Sequence, residues 1–199
     1  MKPSSIAALI LAAGQSKRMG QPKMLLPWGE STVLQTVVAA FRAAGVDEIV
    51  VVTGALHEPI TTLVGDMAQA VFNPDYASGE MLSSIQRGLR HLLSEKSEAE
   101  GVLIGLGDQP QVQARSVEAV CAAFRQSGAR LVVPSYQKRR GHPWLAAYPL
   151  WESLLALGPS QTPRDFLNAH ADQIHYVDVD TPSILADLDT PEDYLKSKP

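Results

Sequence analysis

Two kinds of apolar pattern alternate along the chain. Short continuous runs, such as Ile6–Leu11, Glu48–Val52 and Gly101–Leu106, leave no polar face. Such runs suit strands buried on both sides. Ala70–Phe72, Arg130–Val133, Trp144–Ala147 and Ile174–Val177 are further strand candidates. Between them lie stretches of helical period: Val33–Ala44, Pro59–Val64, Met81–Leu93, Ser116–Gln126, Leu150–Leu157, Pro163–Ala169 and Pro191–Leu195. Gly45 and Gly128 follow two of these and suit the left-handed position that closes a helix. The alternation predicts a three-layer α/β fold with a mostly parallel central sheet covered on both faces. No repeat, low-complexity tract or composition break divides the chain, so residues 1–199 are expected to form one domain.

Composition narrows this picture. A hydrophobic fraction of 45% and a charged fraction of 19% are those of an ordinary globular chain. A net charge of -4 argues against general binding of nucleic acid or of an anionic membrane, while leaving room for a local cationic pocket. Cys121 is the sole cysteine, so no internal disulfide can form and a reducing, cytoplasmic setting is expected. It sits in an apolar helical pattern without a neighbouring Cys or His, as a buried filler would. The start, MKPSSIAALILAAG, has an apolar run but passes straight into Gly14 and cations, unlike a cleaved leader. No apolar stretch reaches transmembrane length.

In open α/β sheets ligands sit beyond the carboxyl ends of the strands, and the informative residues follow strands here. After the first comes LAAGQSKRMGQPK, residues 11–23. Gly14 and Gly20 permit a loop whose N–H groups point inward at an anion, and Arg18 and Lys23 could hold phosphate oxygens. The spacing fits neither the Walker nor the dinucleotide glycine pattern, and an ordinary turn with solvated cations is the structural alternative. Asp108 in GDQP directly follows a buried strand. It could hold Mg2+, which takes few carboxylates alongside phosphates, or serve only as a turn residue. In ADLDTPEDY, Asp189 or Thr190 is explained as the cap of a helix begun by Pro191. Asp187 is not, and could be a second metal ligand, with Asp189 as the alternative. In YQKRRGHPW, Lys138, Arg139 and Arg140 lead into Gly141 and His142, which could hold a second anionic substrate or form a solvated basic hairpin. Gly79 precedes a helix carrying Ser83 and Ser84, which could contact a base or phosphate; it is equally an ordinary capped helix.

Together these stretches resemble the sugar-nucleotide-type nucleotidyltransferases, above all their branch of molybdenum cofactor cytidylyltransferases. LAAG is shared widely in that group, whereas GDQP with RGHP is more specific, and the resemblance runs from Ile6 to Tyr194. It implies a Rossmann-like fold and Mg2+-dependent transfer of a nucleotidyl group from an NTP, with release of pyrophosphate. The implied acceptor is the terminal phosphate of molybdopterin, with or without molybdenum. Ala13, where guanylyl-transferring relatives carry a second Gly, implies CTP. By motif, Leu11, Ala12, Ala13 and Gly14 would line the nucleotide and Arg18 and Lys23 would take its triphosphate. Thr53, Gly54 and Ser83 would border base or ribose. Asp108 would bind nucleotide and Mg2+, with Asp187 as its partner, and Arg140, Gly141 and His142 would face the acceptor. Arg18, Lys23 and Asp108 would carry the catalysis. A molybdenum hydroxylase is the implied recipient of the product. Transfer from GTP or to another phosphate, and non-catalytic delivery of the cofactor, are the competing readings.

Overall fold

The structure, a computed structural model, describes residues 5–78 and 80–199. Gly79 and the first four residues, which include part of the MKPSSI stretch, lie outside the described residues. The strands are β1 (Ile6–Ala12), β2 (Pro27–Trp28), β3 (Ser31–Thr32), β4 (Glu48–Thr53), β5 (Gln69–Phe72), β6 (Gly101–Leu106), β7 (Leu131–Tyr136), β8 (Arg139–Arg140), β9 (Trp144–Ala147) and β10 (Ile174–Asp178). The helices are α1 (Val33–Ala43), α2 (His57–Val64), α3 (Glu80–Ser94), α4 (Ala114–Ser127), α5 (Trp151–Leu155), α6 (Pro163–Ala169) and α7 (Pro191–Ser197).

The main sheet has the order β10-β7-β9-β6-β1-β4-β5, with β8 paired to β7. β1 pairs in parallel with both β4 and β6, and β7 in parallel with β10. Only β9 and the short β8 run against these neighbours. The strand at Trp144–Ala147 was expected, but its reversed direction is set by the tight turn before it. Tyr136 leads through Gln137 and Lys138, at φ 49° and 65°, into β8. That left-handed pair is the backbone of a two-residue hairpin loop. The chain therefore re-enters the sheet from the edge where β7 left it. Because β9 runs backwards, its first residues lie at the edge where the parallel strands end.

Side chains alternate along the sheet and build two cores. Ala8, Ile10 and Ala12 face Val37, Phe41 and Val120 on one side, while Ala7, Leu9 and Leu11 face Ile85, Leu89 and Phe166 on the other. The layers close tightly because glycine stands at the contacts. A Cβ on Gly105 would come 2.5 Å from the Phe41 ring, and one on Gly88 would come 2.7 Å from Leu9. Thr32 accepts the Gln35 amide to start α1, and Gly45, at φ 76°, follows its end, as expected.

Some boundaries differ from the sequence expectation. The helix expected from Pro59 begins at His57, since a proline in the first turn has no needed N–H to lose. The helix expected over Leu150–Leu157 is a tight turn at Tyr148–Leu150 followed by only Trp151–Leu155. Pro149 favours that turn, and the Gln86 amide donates to the carbonyls of Leu154, Leu155 and Leu157, holding the chain after the helix. The β2–β3 hairpin was not foreseen. It supports a small third cluster of Trp28, Val33 and Leu188. No described helix is long and apolar enough to cross a membrane.

Candidate active site

The carboxyl ends of β1, β4 and β6 come together through register. Ala12 lies opposite Thr53, Leu11 lies opposite Leu106, and the Gly107 amide donates to the Leu11 carbonyl at 2.9 Å. Leu11, Ala12 and Ala13 are buried at this edge, and the chain surfaces at Gly14. The loop that follows folds back on itself, with the Met19 and Gly20 amides donating to the Ser16 carbonyl. Gly14, Lys17, Arg18, Lys23, Tyr76 and Asp189 are among the walls of a cavity of about 300 Å3.

Gly54 is a close-approach residue. A Cβ there would drive into the Ala13 carbonyl oxygen and the Tyr76 ring. Thr53 is fully buried, with its hydroxyl at 2.7 Å from His57 Nδ1 and donating to the Val71 carbonyl at 3.2 Å. It shapes the edge through its backbone and leaves its side chain to the fold. Ser83 accepts from the Asn73 side-chain amide at 2.9 Å and donates to the Glu80 carbonyl at 3.1 Å. Asn73 also reaches Ser84 and receives the Asp75 amide, so one buried side chain ties the end of β5 to the start of α3. Sequence reasoning missed Asn73. Its signal was the polar residue directly after a strand.

The acids gather around Lys23. Its ammonium donates to Asp108 Oδ2 and to the Leu188 carbonyl, the latter at 3.1 Å, and lies 4.0 Å from Asp189. Lys23 is largely buried, whereas Arg18 extends into solvent and donates to Asp189 Oδ1 at 2.9 Å. Asp187 accepts the Gln109 amide at 2.6 Å. Partial desolvation lifts its carboxyl above the usual range; the Gln109 hydrogen bond opposes the rise, while Asp108 and Asp189 add to it. Much of Asp187 still meets solvent, so it remains open to a ligand. The expectation that a helix cap would account for Asp189 or Thr190 resolves cleanly. Thr190 and Asp193 form the capping box of α7, leaving the Asp189 carboxylate to Arg18. Asp187 and Asp189 flank the fully buried Leu188, the alternation that set Asp187 apart in the sequence.

A second cavity, of about 910 Å3, is lined in part by Lys138, Arg140, His142, Trp144, Arg164 and Leu167. Arg140 donates to the Tyr176 hydroxyl at 2.9 Å and to Asn168 Oδ1 at 2.8 Å, which fixes its guanidinium. Gly141 has no room for a side chain, because a Cβ would lie 2.5 Å from the Ile184 carbonyl oxygen. His142 keeps some surface, but desolvation of its ring pulls the pKa down to about 4. Arg164 and its α6 neighbours carried no motif, so only the fold brings them here.

One segment joins the two cavities. From Ile184 to Asp189 the chain forms a strap: the His142 amide donates to the Ile184 carbonyl, and the Leu188 amide donates to the Asp108 carbonyl, both at 3.0 Å. Among the described residues no group of three or more His, Cys, Asp or Glu forms a ready-made metal cage. The carboxylates of Asp108 and Asp187 are all-oxygen donors whose mutual repulsion a hard divalent cation would relieve. That donor set fits Mg2+, which binds through one or two carboxylates and substrate phosphates.

Comparison with known proteins fits this geometry. The chain is 30% identical to the molybdenum cofactor cytidylyltransferase of Escherichia coli (strain K12), over 98% of its own length and 96% of that protein. Its fold is similar to the crystal structure of an rv0371c homologue from Mycobacterium sp. strain JC1, at a TM-score of 0.81 and 28% identity over 96% and 93% of the two chains. A manganese complex of Rv0371c from Mycobacterium tuberculosis H37Rv shares the fold at a TM-score of 0.76 and 23% identity, over 98% of each chain. Residues 8–174 match the family described as the MobA-like NTP transferase domain. The chain belongs to that family and is a nucleotidyltransferase.

Proposed function

We propose that the protein transfers CMP from CTP to the terminal phosphate of molybdopterin, with or without molybdenum. The products are molybdopterin cytosine dinucleotide and pyrophosphate, and a molybdenum hydroxylase is the recipient. The observation that carries this reading is the strap, which hydrogen-bonds at one end beside Asp108 and at the other beside His142. A small cationic cavity and a large one are thereby held to a common element, as transfer between two anions requires. The name of the Escherichia coli relative supports the choice of base and acceptor.

The acceptor phosphate is ionised near neutral pH and needs no strong base. An acceptor oxygen forms a bond to the α-phosphorus as the bond from that phosphorus to the β-phosphate oxygen breaks, and pyrophosphate leaves with the electron pair. Gly14 to Gly20 cradle the triphosphate, and Arg18 and Lys23 neutralise charge developing on the leaving group. Asp108 and Asp187 would hold Mg2+, which would supply polarisation of phosphoryl oxygens. Arg140 and Gly141 orient the acceptor, and His142, neutral at pH 7, supplies a hydrogen-bonding wall. Holding both substrates in place removes much of the entropic barrier.

The test offers purified molybdopterin with each of CTP, GTP, ATP and UTP, with and without Mg2+, and follows pyrophosphate release and product mass. Release is expected with CTP alone, and only when acceptor and metal are both present. Release with GTP would move the protein to guanylyl transfer. Tight cofactor binding without pyrophosphate from any nucleotide would replace transfer by delivery.

A further inference from the structure

Arg18, Lys23 and Arg115 are salt-bridged to the carboxylates of Asp189, Asp108 and Asp180, which offset their charge. Arg140 is held differently. Its Nε–H donates to the Tyr176 hydroxyl at 2.9 Å, and its Nη1 donates to Asn168 Oδ1 at 2.8 Å. Among the described residues no carboxylate is salt-bridged to it. Neutral acceptors fix a guanidinium without cancelling its charge, and its remaining N–H groups are left for a ligand. Arg42 and Arg87 also donate to neutral carbonyls, but neither lines the small or the large cavity. Arg140 does line the large one.

Strand register explains how three separate elements reach one guanidinium. Arg140 of β8 lies opposite Ser135 of β7, and Tyr176 of β10 lies opposite Val133 of the same strand. Ser135 and Val133 are two positions apart, so both partners' side chains stand on one face of the sheet. That face carries the core of Leu131, Val133 and Trp144, which α6 covers with Phe166 and Leu167. Asn168 is the next residue of α6 and belongs to the wall of the large cavity. Tyr176 stands behind Arg140 and reaches the cavity only through it.

We infer that Asn168 and Tyr176 are positioning residues that aim the Arg140 guanidinium into the large cavity and leave its charge for an anionic group of the acceptor. This rests on the reading of that cavity as the acceptor site and adds the means by which Arg140 is set.

The experiment measures molybdopterin binding to the full chain by calorimetry, with a thermal melt of every protein. It compares the wild type, Tyr176→Phe, Arg140→Gln, their double variant and Asn168→Asp. Tyr176→Phe keeps the ring and removes only the hydroxyl. It is expected to weaken binding by about twofold to fivefold, the lower part of the range for one hydrogen bond, because the pair meets solvent. In the Arg140→Gln background the same substitution should cost nothing further, since Tyr176 acts through Arg140. Asn168→Asp keeps an acceptor for Nη1 but offsets the charge. It should weaken binding without lowering the melting temperature, a combination that a merely structural tie would not give. Wild-type affinity in Tyr176→Phe or in Asn168→Asp would overturn the inference and leave the acceptor site standing. An equal loss from Tyr176→Phe with and without Arg140 would do the same. Wild type that fails to bind molybdopterin removes both. The readout is binding, so a failure to release pyrophosphate counts against transfer alone.

Discussion

At the scale of single residues, the acids and the histidine make opposite demands on solvent. As the proposed metal ligand, Asp108 must keep a carboxylate oxygen available although Lys23 already holds the other. Asp108→Asn preserves shape and can still accept from Lys23, so the chain should fold. Its turnover should drop by about 100-fold or more, as when a charge-stabilising group is lost; a rate within tenfold of wild type would take Asp108 out of the metal site. His142 carries the opposite signature. Desolvation depresses its pKa from 6.5 to about 4, so the unfolded chain binds a proton in that interval that the folded chain does not. Its contribution to stability is complete above pH 6.5 and is lost as pH falls toward 4. His142→Asn should lack this part of the acid sensitivity, visible as a shallower fall of Tm across the same range. Parallel curves for the two proteins would place the ring in water. Cys121 behaves as its apolar setting suggests, its thiol pushed up to about 11 by burial.

At the scale of elements, the short α7 does more than follow the strap. Its capping box fixes the exit of the strap, with the Asp193 amide donating to Thr190 Oγ1 at 3.2 Å and Asp193 Oδ2 accepting the Thr190 amide at 2.9 Å. Tyr194 then donates to the Pro27 carbonyl at 2.7 Å. Thr190→Ala should cost about 1 kcal/mol of stability. A denaturant melt beside the wild type checks this, and an unchanged stability would mean that the box does not hold the exit of the strap. What the sequence made legible divides along the same line. Continuous runs such as Gly101–Leu106 announced buried parallel strands, and Gly14, Asp108, Asp187 and His142 all lie at the edge where those strands end. Contacts over long separations were not legible. The reversal of β9 depends on two non-glycine residues at positive φ, which no propensity favours. Arg164 and Tyr176 join the large cavity or its wall only because α6 packs Phe166 near Trp144 of β9 and β10 pairs with β7. Between Asp187 and Asp189 the sequence left the choice open, because a helix cap also explained Asp189; the neighbouring threonine in fact fulfils that task.

For the molecule as a whole, charge is distributed unevenly. The net charge is -4, yet Lys17, Arg18 and Lys23 surround one cavity and Lys138, Arg139, Arg140 and Arg164 the other. Anionic substrates are thus drawn to one edge of a mildly acidic body. Raising ionic strength from about 0.01 M to about 0.15 M shortens the screening length from about 30 Å to about 8 Å. Affinity for Mg2+–CTP should fall severalfold over that interval, mostly through a slower association rate; an unchanged rate would mean that the exposed cations do not steer. The strap has a consequence for how the protein is made. Arg18 and Asp189 are separated by 171 positions, and Lys23 and Leu188 by 165. Translation delivers the 14–23 loop after the first strand and the strap after every strand of the main sheet. A nascent chain on the ribosome can therefore build its sheet while neither Asp187 nor Asp189 yet exists outside the exit tunnel, so the two sides of the small cavity meet only after the sheet is made.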